Sequence, residues 1–149
     1  MEKKELRFEA PAYTGEVERY SFDAEGTTVV AFFPGAFTEV CTEEMCMLRD
    51  SMQELGSLGA DVLGISVDTP FALREFARQN DLSFPLISDH SAEISKQYGV
   101  DTEMPGLGYR VATRAVFLIE DGEVLYREVL DDPTKLPDLG TLKKHLNDS

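Results

Sequence analysis

Thr27 to Phe33 (TTVVAFF) is an unbroken run of β-branched, small and aromatic apolar residues that stops at Pro34-Gly35. A run without polar alternation belongs in a strand covered on both faces. Pro34 has no amide to give to a ladder, so the strand ends there. Beyond it, Cys41, Met45, Leu48, Met52 and Leu55 recur at steps of 4, 3, 4 and 3, which predicts one helix over about 39–58 with a single apolar face. A fully covered strand followed by a one-faced helix needs a layered α/β arrangement, in which helices do the covering.

The remaining pattern repeats that alternation. Asp61 to Val67 (DVLGISV) reads as a second buried strand, and Thr69-Pro70 offers an N-cap and a first-turn proline for a helix to about Asn80. Phe84 to Ile87 is a short strand, after which Ser88 or Asp89 caps a brief helix ending at Tyr98 before Gly99. Ala115 to Ile119 and Glu123 to Val129 flank Asp121-Gly122, a strong two-residue hairpin signal. A last helix is expected from near Pro137 to Leu146. The order β-α-β-α-β-α-β-β-α, with an antiparallel hairpin late, predicts a thioredoxin-like α/β fold: a central mixed sheet with helices on both faces. No repeat, low-complexity stretch or linker interrupts it, so one domain over residues 1–149 is expected.

Charge narrows the partners. Acidic residues number 28 against 14 basic ones, a formal net charge of −14, which disfavours nucleic acid or an anionic membrane surface as partner. The longest apolar runs, Val29 to Phe33 and Ala115 to Ile119, are too short to span a bilayer. The first residues, Met-Glu-Lys-Lys-Glu-Leu-Arg, lead into no apolar stretch, so no secretory signal is expected and a cytoplasmic location is. The dispersed carboxylates, with only six lysines, fit either life in concentrated salt or a merely acidic cytosolic protein, and both readings stay open.

Two cysteines in such a chain point to chemistry before a disulfide staple. There is no Cys-x-x-Cys, no P-loop and no Gly-x-Ser-x-Gly, and Gly106-x-Gly108 lacks a third glycine. His90 and His145 are solitary, so neither a metal nor a bound cofactor is expected; Glu43-Glu44 and Asp131-Asp132 read most simply as solvated charges. Cys41 falls in the first turn of the expected helix, where free backbone N–H groups and the positive end of the dipole favour a thiolate. Thr38, three residues earlier, is placed to cap that helix, and its hydroxyl can also reach the sulfur or an oxygen bound to it. Taken alone, Cys41 reads first as a buried member of the stripe with Met45 and Leu48.

Its neighbours change that reading. Pro34-Gly35-Ala36-Phe37-Thr38-Glu39-Val40-Cys41, followed by Glu44, resembles the Pro-x-x-x-Thr-x-x-Cys signature of the peroxiredoxins. The resemblance extends through Ala10-Pro11 and Tyr13, Gly64-Ile65-Ser66-Val67-Asp68, Phe84 to Asp89, Tyr98-Gly99-Val100, and Arg114 just before the strand Ala115 to Ile119. It implies a cofactor-free thiol peroxidase. The Cys41 thiolate attacks the terminal oxygen of hydrogen peroxide or an organic hydroperoxide, giving a sulfenic acid and releasing water or an alcohol. It also implies that Arg114 favours the thiolate and orients the peroxide, with Arg110 the nearby competitor for that role. Thr38 and the backbone N–H groups of Val40 and Cys41 hold the peroxide oxygens, and Pro34 roofs the pocket. Glu44 orients Arg114 or another polar group, or else stands as a solvated charge. Tyr13 and Phe37 are pocket walls, with Leu107 and Tyr109 looser candidates near the mouth.

Cys46 lies five residues after Cys41, about 140° round the helix and about 8–9 Å away between Cα atoms. A disulfide needs about 4.4–6.8 Å, so the two react only if that helix unwinds locally. The Cys-x4-Cys spacing is similar to that of the Q-type peroxiredoxins, also called bacterioferritin comigratory proteins, in which the second cysteine resolves the first. The opening Phe33 to Thr38 is more similar to the E-type or one-cysteine groups. Resolution by Cys46 is the favoured expectation, with a spectator thiol or a peroxide-sensing module as alternatives. A thioredoxin- or glutaredoxin-like reductant is implied as partner, and the chain as monomer or homodimer.

Overall fold

The computed structural model describes residues 3–106, 108–132 and 134–147. Its elements in chain order are α1 (Lys3–Leu6), β1 (Phe8–Tyr13), β2 (Val17–Phe22), β3 (Thr27–Phe32), α2 (Glu39–Asp50), α3 (Met52–Ser57), β4 (Ala60–Ser66), α4 (Pro70–Asn80), β5 (Leu86–Ser88), α5 (Glu93–Gln97), β6 (Asp101–Glu103), β7 (Arg110–Ala112), β8 (Ala115–Glu120), β9 (Glu123–Val129) and α6 (Leu139–Asn147). Seven strands form one mixed sheet in the order β2-β1-β5-β4-β3-β8-β9, and β6 and β7 pair separately. The apolar run of β3 lies inside this sheet, parallel to β4 and antiparallel to β8. Because side chains alternate along a strand, β3 feeds two cores. Val29, Ala31 and Phe33 join Met45, Leu48, Leu55, Leu73, Phe76 and Leu142 from α2, α3, α4 and α6. Val30 and Phe32 join Leu6, Ile94 and Tyr98 on the opposite face. The expected mixed sheet with helices on both faces is the architecture found.

The turn chemistry acts as read. Thr69 Oγ1 accepts the Ala72 N–H at 3.2 Å with Pro70 at the first helical position, and Asp121 (φ 47°) and Gly122 (φ 85°) make the β8–β9 turn with both residues left-handed. Asp89 caps α5, its carboxylate accepting from the Ile94 and Ser95 amides at 2.9 and 2.8 Å.

Three expectations need correction. The helix over 39–58 is two helices, broken at Ser51, whose N–H is shared between the Met47 and Leu48 carbonyls. An apolar stripe continues across such a shift of bonding, so periodicity does not register it. The short strand starts at Leu86, not Phe84, although the Pro85 carbonyl still accepts from Gly64 at 3.0 Å. The last helix begins at Leu139, where the Asp138 carboxylate accepts from the Thr141 amide and hydroxyl. The β1–β2 hairpin and the β6–β7 ribbon were not expected. Pro11 and the polar residues of β2 hide the first, and strands of three residues are too short to show a period.

Register places the functional edge. Phe32 pairs with Ala115, so Arg114, the residue before β8, meets the end of β3 where the chain turns through Pro34 into α2. Gly64 lets α2 settle there: a Cβ on it would lie 2.8 Å from Leu86 Cδ2 and 3.3 Å from Met45 Sδ.

Candidate active site

The segment between β3 and α2 is braced by Asp68, at the exit of β4. Its Oδ2 accepts the Ala36 N–H and the Ser66 hydroxyl, each at 2.7 Å, and its carbonyl accepts the Ser88 hydroxyl at 2.7 Å. Phe37 sits in the left-handed region (φ 68°), which costs a side-chain-bearing residue about 1–2 kcal/mol, so this loop is held against its preference. Thr38 is extended (φ −85°, ψ 152°) and precedes the first residue of α2. Its side chain does not cap the helix, contrary to expectation: the hydroxyl donates to the Gly35 carbonyl at 2.9 Å. Thr42 N–H is the first to bond back into the helix, to the Thr38 carbonyl at 2.9 Å. The Val40 and Cys41 amides, in the first turn before it, have no acceptor within the helix.

Cys41 is 1% exposed, and its sulfur lies 3.3 Å from Arg114 Nη1. Arg114 is itself 3% exposed, and the same nitrogen donates to Glu44 Oε1 at 2.7 Å. Glu44 is completely buried, so the reading of it as a solvated charge is overturned. The sulfur in the first turn and the guanidinium beside it border a cleft of about 260 Å³ lined by Pro34, Thr38, Glu39, Val40, Cys41 and Arg114. A second cavity of about 310 Å³ shares Pro34 and Arg114 with it and continues over Met104, Val111 and Leu130.

The three charged or chargeable groups compete. Burial pushes the Glu44 carboxyl up to about 8, against the pull of the Arg114 hydrogen bond and charge. Burial also works against the Arg114 cation, but the Glu44 carboxyl and then the Cys41 sulfur outweigh it, and the net direction is upward. A guanidinium stays charged at any working pH, so the group that gives up its charge in this pair is Glu44. Between about pH 4.5 and 8 the folded chain therefore holds a proton on Glu44 that the unfolded chain releases. Stability from this group is present below the unfolded value and is lost as pH rises through the folded one. Glu44→Gln does not titrate there, so its stability relative to wild type should improve by a few kcal/mol, on the order of 2–4, between pH 5 and pH 9. Urea unfolding at both pH values checks this; a constant difference would show that Glu44 is ionised throughout.

The structure brings Pro34, Thr38, Val40, Cys41, Glu44 and Arg114 together, and not Tyr13, Phe37 or Cys46. Tyr13 packs at the end of β1 against the helical core and does not line the cleft. The Phe37 ring, half exposed, turns away to the Phe76 ring, centroids 5.4 Å apart, because the left-handed backbone points it off the cleft. Arg110 is spent on Asp101 at 2.7 Å on the surface of β7, which separates it from Arg114. Tyr109 is exposed, and Leu107 lies outside the described residues. Cys46 is partly exposed on another side of α2, with its sulfur 3.7 Å from Asn80 Oδ1; both cysteines are free thiols. Among the described residues no group of His, Cys, Asp and Glu gathers to hold a metal, and no helix is long and apolar enough to cross a membrane. Asp68 was missed as a positioning residue. The available signal was its place at the carboxyl end of a parallel strand, the edge where α/β sheets put their sites.

A buried thiol beside a fixed cation, at a helix N-terminus on a thioredoxin-like sheet, defines the class: a thiol-based oxidoreductase. The comparisons with known proteins narrow it. The AhpC/TSA family pattern matches residues 2–127. Peroxiredoxin Bcp of Escherichia coli K12 is 41% identical over 130 residues, 85% of this chain and 81% of that protein, and the chloroplastic peroxiredoxin Q of Populus jackii is 40% identical over 78 residues, 52% of this chain and 37% of that protein. The crystal structure of peroxidoxin BcpB from Mycobacterium tuberculosis superposes with a TM-score of 0.76 at 29% identity, over 95% of this chain and 90% of that one. Enterococcus faecalis AhpC gives 0.83 at 24% identity, over 95% and 87%, a likeness of fold. The chain belongs to the AhpC/TSA family: it is a peroxiredoxin, a thiol-dependent peroxidase.

Proposed function

We propose that Cys41 is the peroxidatic nucleophile, an assignment carried by its buried sulfur lying 3.3 Å from Arg114 Nη1 beside an open cleft. The guanidinium stabilises negative sulfur, and below about pH 8, where Glu44 holds its proton, that positive charge is not cancelled by the carboxyl. Because the Thr38 hydroxyl proton is committed to Gly35, Thr38 Oγ1 meets a peroxide as an acceptor, taking the terminal O–H. The Val40 and Cys41 amides and Arg114 are the donors. As the sulfur attacks, the S–O bond forms and the O–O bond breaks. Charge then grows on the leaving oxygen, where these donors are already in place. Pro34 covers the sulfenic acid that results. The leaving oxygen picks up a proton and departs as water or, from an organic hydroperoxide, as an alcohol. For such a substrate the cavity over Met104, Val111 and Leu130 offers apolar space next to Arg114.

In the second half of the cycle the Cys46 thiol condenses with the sulfenic acid, giving a disulfide and water. A dithiol reductant of thioredoxin or glutaredoxin type restores both thiols, which fits a cytoplasmic protein. Intact mass after one equivalent of peroxide tests the assignment. Wild type should lose two hydrogens and Cys46→Ser should gain one oxygen on Cys41. One oxygen gained by both would make this a one-cysteine enzyme with Cys46 a bystander, and no change at Cys41 would remove the assignment altogether.

A further inference from the structure

We propose that Asn80, the last residue of α4, is a latch that holds Cys46 in the folded reduced enzyme and sets how readily it reaches oxidised Cys41. The inference rests on Cys46 being the resolving thiol. Both cysteines sit in the unbroken α2, about 8–9 Å apart by helix geometry, so the first turns must open before a disulfide can form. What holds those turns to the rest of the molecule therefore governs the step.

Cys46 Sγ–H donates to Asn80 Oδ1 at 3.7 Å. The other end of that amide donates to the Phe76 carbonyl at 2.9 Å, which points the oxygen at the sulfur. Asn80 is a firm post. The next residue, Asp81, ends α4 in the left-handed region (φ 52°), Leu82 N–H returns to the Ala77 carbonyl at 3.0 Å, and Phe76 and Ala77 are buried in the core that holds Met45 and Leu48. The Asn80 carbonyl accepts from Arg49 Nη1 at 2.7 Å, three residues beyond Cys46 on α2. So α2 is tied to one residue of α4 at two points. The side-chain tie lies at the cysteine that must move. The backbone tie lies past it and can stay closed while residues 39–46 open, marking where unwinding stops. The reaction needs no outside reagent: the Cys46 sulfur bonds to the Cys41 sulfur, and the S–OH oxygen leaves as water with the Cys46 proton. Any delay before this step gives a second peroxide time to oxidise the sulfenic acid to a sulfinic acid.

Asn80→Ala removes the side-chain tie and keeps the carbonyl that Arg49 holds. In stopped-flow single turnovers with hydrogen peroxide, sulfenic acid formation should keep its wild-type rate. Disulfide formation should be about two- to fivefold faster, the worth of one weak S–H···O hydrogen bond. Sulfinic acid at high peroxide should fall in the same proportion. Disulfide formation that is unchanged or slower overturns the latch, as does an equal change in both steps, which is general loosening of the site. Cys46→Ala removes the same bond from the other side; amide hydrogen exchange at residues 42–46 should quicken in both variants, and unchanged exchange in either counts against the tie. If wild type itself forms no disulfide, the resolving role of Cys46 fails and the latch with it. If wild type forms one at the same rate as Asn80→Ala, only the latch is lost.

Discussion

Cys41→Ser is expected to bring peroxide consumption, with excess dithiol, down to the rate of protein-free buffer. An alcohol in the same position is not ionised at neutral pH even beside a guanidinium, so the nucleophile disappears while the cleft remains. The substitution is mild for the fold. Cys41 contributes one small side chain to the core with Met45 and Leu48, and the introduced hydroxyl can accept from Arg114 Nη1 where the sulfur did. The unfolding free energy should therefore stay within about 1 kcal/mol of wild type. Coupled peroxide assays and urea melts on the same preparation check both halves. Sustained turnover by a folded Cys41→Ser protein would remove the proposed nucleophile.

Arg114→Met should slow the reaction of Cys41 with hydrogen peroxide by about 10²–10³-fold, the usual effect of deleting one fixed donor at the developing charge. Methionine fills much of the volume of the buried side chain but supplies neither the charge nor the hydrogen bond to the sulfur. The stability cost should depend on pH. Breaking a buried ion pair costs about 3–5 kcal/mol when the partner stays charged. Glu44 escapes much of that by keeping its proton, since burial already pushes it to about 8 with the guanidinium present. Without Arg114 the carboxyl is held protonated to still higher pH. Wild type and Arg114→Met should then be close in stability at pH 6. At pH 9 they should diverge, because there wild-type Glu44 can ionise against Arg114 while the variant must still bury a proton. Melts at the two pH values test this, with Arg114→Met/Glu44→Gln compared against Glu44→Gln as the control pair whose difference stays flat. An equal penalty at both pH values would mean a fixed carboxylate.

Much of the frame was legible from residues alone. The buried run of β3, the second run of β4, the capped start of α4 and the Asp121-Gly122 turn each depend on neighbours a few positions away, where propensity, capping and turn geometry act. The string Pro34 to Cys41 is local in the same sense, and so is the position of Cys41 in the first turn of a helix. Thr38 shows the boundary. Its position before the helix was readable, but whether its hydroxyl turned to the helix amides or back to Gly35 depended on how the loop was braced by Asp68, a residue 32 positions away from the amide it holds. Phe37 was misread for a related reason: the loop sets its backbone left-handed, and the ring follows the backbone away from the cleft.

The layered fold and the sulfur's place at the helix start can both be read along the chain, since they follow from short-range periodicity and backbone chemistry. Along the chain alone, Glu44 stays open between a solvated charge and a buried partner. The folded sheet resolves it: Phe32 pairs with Ala115, which carries Arg114 onto Glu44 from 70 residues along the chain and onto Cys41 from 73. The same holds for Cys46, whose attachment to Asn80 spans 34 positions. Charge state and thiol restraint depend on removal from water and on contact distance, and both are set only when separate elements close on one another.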